Sequence, residues 1–344
     1  MIKFKEDYIM KKLSIAIMIL IITVLISGCG NATQSKDQQK SKTVSIKHTY
    51  EFKDKNNDHN RGHIKKETIE VPIDPKRVAV MDYGALDTMK SLKLEDKIVA
   101  ISKGQNSSFL PTNLAEFKDA KYLNLGNPGR PNYDNLAKAK PEVIFASFRQ
   151  AHTATLDEMK KAAPNAKIIF VSPHYDNYIE SVKNNALIIG KIFNKENAVN
   201  KINTKLDKKL TETKKVINKD KVLFLNVDDK SIKVFGSSGR FGGFLNEALG
   251  IKHADKDMKA NSKGAVISYE YLVRKNPDKI FVINRGKNAK TNELPETLNN
   301  PVVQDVKAVK NNEITLFEAN KWFFNEGGVQ ATIDQMEDVK KAFK

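Results

Sequence analysis

A seventeen-residue pattern that occurs twice limits this chain to few architectures. The first copy runs from Tyr133 to Arg149 and the second from Tyr269 to Arg285. Tyr133/Tyr269, Leu136/Leu272, Pro141/Pro277, the acids Glu142/Asp278, Ile144/Ile280, Phe145/Phe281 and Arg149/Arg285 fall at identical offsets. Each copy reads as a short helix, a proline that ends it because the preceding residue is pushed out of the helical range, and an apolar strand that closes on an arginine. One such unit in each half predicts an α/β fold of two Rossmann-like lobes. Open α/β sheets bind ligands beyond the carboxyl ends of their strands, so two facing lobes would aim Arg149 and Arg285 into one cleft.

At 344 residues the chain is long enough for two cores. Its 58 Lys+Arg against 41 Asp+Glu give a net charge of +17. That balance suits an anionic ligand or envelope. The lysines are spread through polar positions rather than gathered in a stripe, and no nucleic-acid motif is present, so nucleic acid is not expected as a partner.

Lys11 and Lys12 precede an apolar run from Leu13 to Ile26, which at fourteen residues is shorter than a bilayer span. Residues 1–28 therefore read as a signal peptide, with Met10 as an alternative start because Glu6 and Asp7 are out of place in a basic leader. Ile26-Ser27-Gly28-Cys29 resembles a bacterial lipobox. Cys29, the only cysteine, is then the lipid attachment point, which puts the protein on the outer face of the cell membrane and leaves no thiol for a disulfide. Residues 29–43, rich in Gln, Ser and Lys, read as a flexible tether.

The first lobe is expected over 44–195. It opens with a hairpin (44–52 and 64–71 around a polar loop, 53–63) and continues as alternating strands and helices. Glu196 to Ile217 carries Val199, Ile202, Leu206 and Leu210 at helical spacing without Gly or Pro. Such a helix is about 33 Å long, enough to bridge two lobes as a stiff spine over 196–218. The second lobe follows over 219–344.

Two further arginines lie in loops. Gly236-Ser237-Ser238-Gly239-Arg240 follows a short strand, and its glycines permit tight turns; the segment is neither a Walker A nor a dinucleotide fingerprint. Arg130 is the weaker candidate. Arginine keeps its charge and its planar fork holds several oxygens, so Arg149, Arg240 and Arg285 together suit a compact polyanion. Lys263 is a possible fourth cation, and Trp322 a possible aromatic wall for a flat ligand. His48, His59, His63, His152, His174 and His253 are scattered, so no metal site built by the protein is expected, the His59/His63 pair included. No nucleophile elbow, HExxH or Ser/His/Asp set appears, which argues against an enzyme.

Lipobox, tether, two lobes, spine and cleft arginines together resemble the siderophore-binding lipoproteins of bacterial ABC importers (class III periplasmic binding proteins). The resemblance covers about Lys42 to Lys344. It is strongest to the receptors for catecholate siderophores of the enterobactin and petrobactin type and for catecholamine-bound iron. The matching segments are Ser147-Phe148-Arg149-Gln150, Ser238-Gly239-Arg240-Phe241-Gly242 and Val282-Ile283-Asn284-Arg285. The resemblance implies that Arg149, Arg240 and Arg285 neutralise a ferric tris-catecholate, that iron(III) arrives inside the ligand with no permanent cofactor, and that a monomer hands its cargo to an ABC permease and its ATPase. It implies permease docking through one acid per lobe, for which Asp87 and Glu247 are the candidates. Some members carry a His before the Gly where this chain has Lys263-Gly264, and a Tyr in the loop where it has Asn320 to Phe323. Their absence favours a fully wrapped hexadentate siderophore, or three separate catechols, with Lys263 adding positive charge. The rival ligands on the same fold are haem, a corrinoid or a hydroxamate siderophore; the rival from another class is a surface adhesin for polyanions.

Overall fold

The computed structural model describes residues 42–54, 62–260, 262–287, 289 and 293–344. The expected signal peptide, Cys29, most of the tether and His59 lie outside the described residues. Residues 42–344 form one compact unit. Its first strand already begins at Thr43, inside the expected tether.

The expected hairpin is β1 (Thr43–Phe52) paired antiparallel with β2 (His63–Pro72). One face of β1 packs on the lobe behind it. His48 is buried there, stacks on Tyr50 and Phe170, and accepts the Phe170 N–H through Nδ1 at 3.2 Å. Burial lowers its pKa, so it is a neutral core histidine rather than a metal ligand. No cluster of three His, Cys, Asp or Glu suited to a metal occurs among the described residues.

The first lobe contains a five-stranded parallel sheet. Its strands are β3 (Val78–Val80), β4 (Ile98–Ile101), β5 (Leu123–Asn124), β6 (Val143–Ala146) and β7 (Lys167–Phe170), in the spatial order β5-β4-β3-β6-β7. β3 and β6 are buried throughout, as strands covered on both faces must be. Strand order reverses between β3 and β6. Helix α1 (Tyr83–Ser91) follows β3, α2 (Tyr133–Ala139) precedes β6, and α3 (Thr153–Ala162) leads to β7.

Helix α4 (Tyr178–Ile192) returns along this lobe, and the spine is α5 (Glu196–Val216), close to the expected bounds. In the second lobe β8 (Lys221–Val227) runs parallel to β11 (Lys279–Asn284), which runs parallel to β12 (Ile314–Phe317). On the other side of β8 the pairing turns antiparallel, through β9 (Ile232–Val234) to β10 (Ala265–Ile267). Helix α6 (Tyr269–Lys275) leads into β11.

The two copies of the repeat do the same structural work. Each helix ends on a left-handed residue before the proline, Lys140 at φ 44° and Asn276 at φ 40°. Each acid then fastens the first strand of its lobe: Glu142 accepts the backbone N–H of Arg77 at 2.9 Å, and Asp278 that of Lys221 at 2.9 Å. The repeat strands, β6 and β11, consequently lie beside β3 and β8, and their terminal arginines emerge at equivalent places.

The end of the chain departs from the expected 219–344 lobe. Helix α7 (Ala319–Phe324) follows β12, and a Gly327-Gly328 turn then sends α8 (Val329–Ala342) back across the first lobe. It packs on α1 and on the spine, where Lys209 pairs with Glu337. The Asp87 carboxylate accepts the Ala331 N–H at 3.0 Å and so caps α8. The sequence carries no sign of this crossing, because α8 has an ordinary amphipathic pattern that fits either lobe.

Candidate functional site

Arg149 lies in the turn after β6, at the point where strand order reverses. Ser147 and Gln150 fix that turn: Gln150 Oε1 accepts the Ser147 backbone N–H at 2.7 Å, and Ser147 Oγ accepts the Arg149 N–H at 3.2 Å. Arg285 follows β11 and donates its backbone N–H to Val227 at 2.7 Å, which holds it against β8. Arg240 lies between Gly239 (φ 70°) and Phe241 (φ 61°). A bulky residue at positive φ is strained. Phe241 holds that conformation because its ring is wedged between Phe224 at 4.4 Å and Phe235 at 4.6 Å. The segment Gly243–Ala248 continues as a short π-helix, a form often found beside functional sites. Gly243 is required there, since a Cβ would come within 2.2 Å of the Tyr175 carbonyl oxygen of the first lobe.

The structure brings the three arginines together around Phe323 at the end of α7. Its carbonyl accepts Nη2 of Arg149 at 3.2 Å and Nη2 of Arg240 at 2.6 Å. The guanidinium carbons of Arg285 and Arg240 stand 3.7 and 4.0 Å from the Phe323 ring centroid. That of Arg149 is 4.4 Å from Phe148 and 5.5 Å from Phe324. Three cations so close raise one another's free energy. Burial first, and then Arg240 and Arg149, lower the Arg285 pKa to about 10; burial first, and then Arg240, lower that of Arg149. Arg240 is buried, whereas Arg149 and Arg285 keep part of their surface in water and Phe148 is exposed beside them.

One carboxylate answers these charges. Glu326, also buried, accepts Nε of Arg240 at 2.8 Å and a second bond from Nη2. Its other oxygen accepts the Tyr175 hydroxyl at 2.7 Å. Burial and the Glu326 charge hold the Tyr175 phenol far above its ordinary pKa, so it stays protonated. Asp82, the N-cap of α1, lies behind Arg149; burial pushes its pKa up to about 6, against bonds from the Ala85 N–H and the Ser172 hydroxyl.

Several expected site residues take other roles. Trp322 is 1 % exposed, stacks on Phe317 at 4.3 Å and donates Nε1–H to Asp338 at 2.9 Å. It fills the second-lobe core because α7 turns its neighbour Phe323, not the indole, toward the arginines. Asp87 is 2 % exposed and spent on capping α8, so it offers no surface to a permease. Burial raises its pKa to about 7, against the Ala331 N–H bond. Lys263 is exposed, and the carbonyl of its neighbour Ser262 lies 3.5 Å from Nη1 of Arg240. Glu247 is exposed on the π-helix. Arg130 is exposed on a two-residue ladder, and no contact joins it to the other arginines among the described residues. Sequence reasoning missed Phe323, Tyr175 and Glu326. Only Phe323 carried a signal, as the neighbour of Trp322; nothing in the spacing ties Glu326 to an arginine 86 residues away.

Residues 78–320 match the periplasmic binding protein model. The chain belongs to that family. It is 33% identical over 337 residues to the petrobactin-binding protein YclQ of Bacillus subtilis, covering 96% of this chain and 98% of the relative. The crystal structure of YclQ superposes with a TM-score of 0.74 at 31% identity, over 87% of this chain and 99% of that one. The catecholate-siderophore binding protein VctP of Vibrio cholerae gives a TM-score of 0.71 at 26% identity, over 87% and 100% of the two chains. A putative ABC transporter substrate-binding lipoprotein of Bacillus subtilis, YhfQ, is 25% identical over 97% of this chain and 100% of its own. These relatives are named as binding proteins, in keeping with the lack of catalytic machinery expected from the sequence.

Proposed function

We propose that this protein is the lipid-anchored substrate-binding component of an ABC importer, and that it captures a ferric tris-catecholate. The observation that carries this reading is the convergence of three arginines on Phe323, Arg149 and Arg240 at its carbonyl and Arg285 over its ring. Three buried or half-buried guanidinia with one carboxylate among them are unfavourable unless an anion completes the set. Three catecholate dianions around iron(III) leave a trianion, and their flat rings match the aromatic platform of Phe148 and Phe323. Similarity to petrobactin and catecholate binders supports the same ligand class. Neutral or cationic hydroxamate complexes gain nothing from these charges, and haem would want an axial ligand that no residue of the cluster supplies. The nearby phenol, Tyr175, is protonated and engaged with Glu326, so iron stays wrapped in its ligand.

In this reading Cys29 carries the lipid, the folded unit stands outside the membrane, and a permease with its ATPase receives the cargo. Glu247 is the second-lobe docking acid, with a first-lobe partner other than Asp87. Calorimetric titration of the unit from Lys42 onward tests the proposal, with a ferric tris-catecholate, its iron-free form, a ferric hydroxamate and haem. Saturable binding of the ferric catecholate alone at submicromolar concentration is expected. Preferential binding of haem or the hydroxamate would overturn the ligand class.

A further inference from the structure

Glu326 has a place that neither a scaffold residue nor a cargo ligand needs. It is the one carboxylate bonded directly to the arginine cluster among the described residues. It occupies Nε and Nη2 of Arg240, the edge with which a guanidinium grips a compact oxyanion in two-point fashion. The Phe323 carbonyl takes a further bond from Nη2, and Nη1 has only the long 3.5 Å bond to the Ser262 carbonyl, so Nη1 is the most weakly engaged edge.

The backbone that carries Glu326 is held from several sides. The next residue, Gly327, donates its N–H to the Tyr178 hydroxyl at 3.1 Å. The Glu326 carbonyl lies so close to α1 that a Cβ on Gly84 would come within 2.6 Å of it. The Tyr175 hydroxyl fixes the carboxylate itself. A side chain so held stays in place when cargo arrives, instead of swinging out. It lowers the formal charge of the cluster from three to two and keeps one edge of Arg240 permanently filled.

Resting on the ligand class proposed above, we infer that Glu326 is a specificity-determining residue: a built-in anion that bars small free oxyanions from the arginine cluster while a large, delocalised trianion still binds. A compact polyanion such as pyrophosphate must make direct bonds to recover its hydration, and the edge it needs is taken by a like charge. A ferric tris-catecholate spreads its charge over a wide shell and meets Arg149, Arg285 and the weakly engaged Nη1 edge of Arg240 across the Phe148 and Phe323 rings. The cost of Glu326 is some affinity for the cargo, in return for rejecting abundant competitors.

The test is competition of ferric tris-catecholate binding by pyrophosphate, in wild type and in Glu326→Gln. Gln keeps an acceptor for Arg240 but removes the charge. Wild type is expected to hold its cargo in millimolar pyrophosphate. The variant is expected to bind the ferric complex about tenfold tighter and to lose it to pyrophosphate at a concentration at least about tenfold lower. A merely structural role would lower the thermal midpoint and weaken all ligands alike. A folded variant with no gain in cargo affinity and no new sensitivity to pyrophosphate would overturn the inference. Efficient competition by pyrophosphate in wild type would overturn it without any variant. Wild type that binds pyrophosphate but no ferric catecholate would overturn the proposed function, and this inference with it.

Discussion

Replacing Arg285 with Met should make the empty protein more stable and the receptor worse. The lowering of the Arg285 pKa from its ordinary value to about 10 is the free energy of holding a charged guanidinium there. At 1.36 kcal/mol per pKa unit it corresponds to about 3 kcal/mol. Arg285 is only partly buried, so screening by water reduces this to about 1–2 kcal/mol. Stacking on the Phe323 ring at 3.7 Å returns about 0.5–1 kcal/mol. Met replaces the guanidinium over the Phe323 ring with an uncharged thioether and removes the repulsion from Arg240 and Arg149. The net expectation is a gain of about 1 kcal/mol, which for a unit of this size raises the melting temperature by about 2 °C. Affinity for ferric tris-catecholate should fall at least about tenfold, because one of three cations is gone. Differential scanning fluorimetry of the ligand-free proteins and calorimetry with cargo give both numbers. A lower melting temperature with unchanged affinity would refute the reasoning, since Arg285 would then be a structural residue rather than a strained binding group.

Asp87 makes stability depend on pH. Its folded pKa of about 7 lies above the ordinary aspartate value of about 4, so the folded state binds more protons between those values. Stability is then full below about pH 4 and falls as pH rises toward 7, by at most about 4 kcal/mol. The groups around the carboxyl are Asp334, Lys90, Asn113 and the N–H groups of Gln330 and Ala331, and Asp82, with a pKa of about 6, adds a loss of the same sign. Asp87→Asn should flatten the Asp87 part, so the variant gains on wild type as pH rises from 5 to 8 in urea melts; a constant difference would contradict the burial-raised pKa. Trp322→Phe loses the Asp338 bond and part of the stack on Phe317, which should cost about 2 kcal/mol with cargo affinity changed less than about twofold. A large loss of affinity would return the indole to the ligand wall. Gly84→Ala places a Cβ within 2.6 Å of the Glu326 carbonyl oxygen and 2.7 Å of the Gly328 nitrogen, and should cost about 2 kcal/mol while weakening cargo binding. Unchanged melting would show that the turn yields.

The parts of this molecule that the sequence announces are those built from local and repeated signals. The helix–proline–strand copies predict two lobes, and they place Arg149 and Arg285 correctly because a buried strand that ends in arginine leaves that arginine few places to go. The spine follows from unbroken helical spacing between Glu196 and Val216. What the sequence conceals depends on contacts between distant elements. Nothing local distinguishes Asp87 on an outer helix face from Asp87 as the cap of α8. The second lobe's antiparallel edge also goes unannounced, since β9 and β10 are three residues each. Phe323 and Trp322 are adjacent aromatics, and only the turn of α7 decides which one meets the arginines. Glu326 is silent for the same reason: its role exists only once the chain has crossed back between the lobes.

The most direct test of the central claim is diffraction at the iron edge from crystals of the folded unit with a ferric tris-catecholate. One anomalous peak is expected, beside Phe323 and among the guanidinia of Arg149, Arg240 and Arg285, with catecholate oxygens filling the iron shell. A peak remote from these arginines, or a protein side chain bound to the iron, would contradict the account.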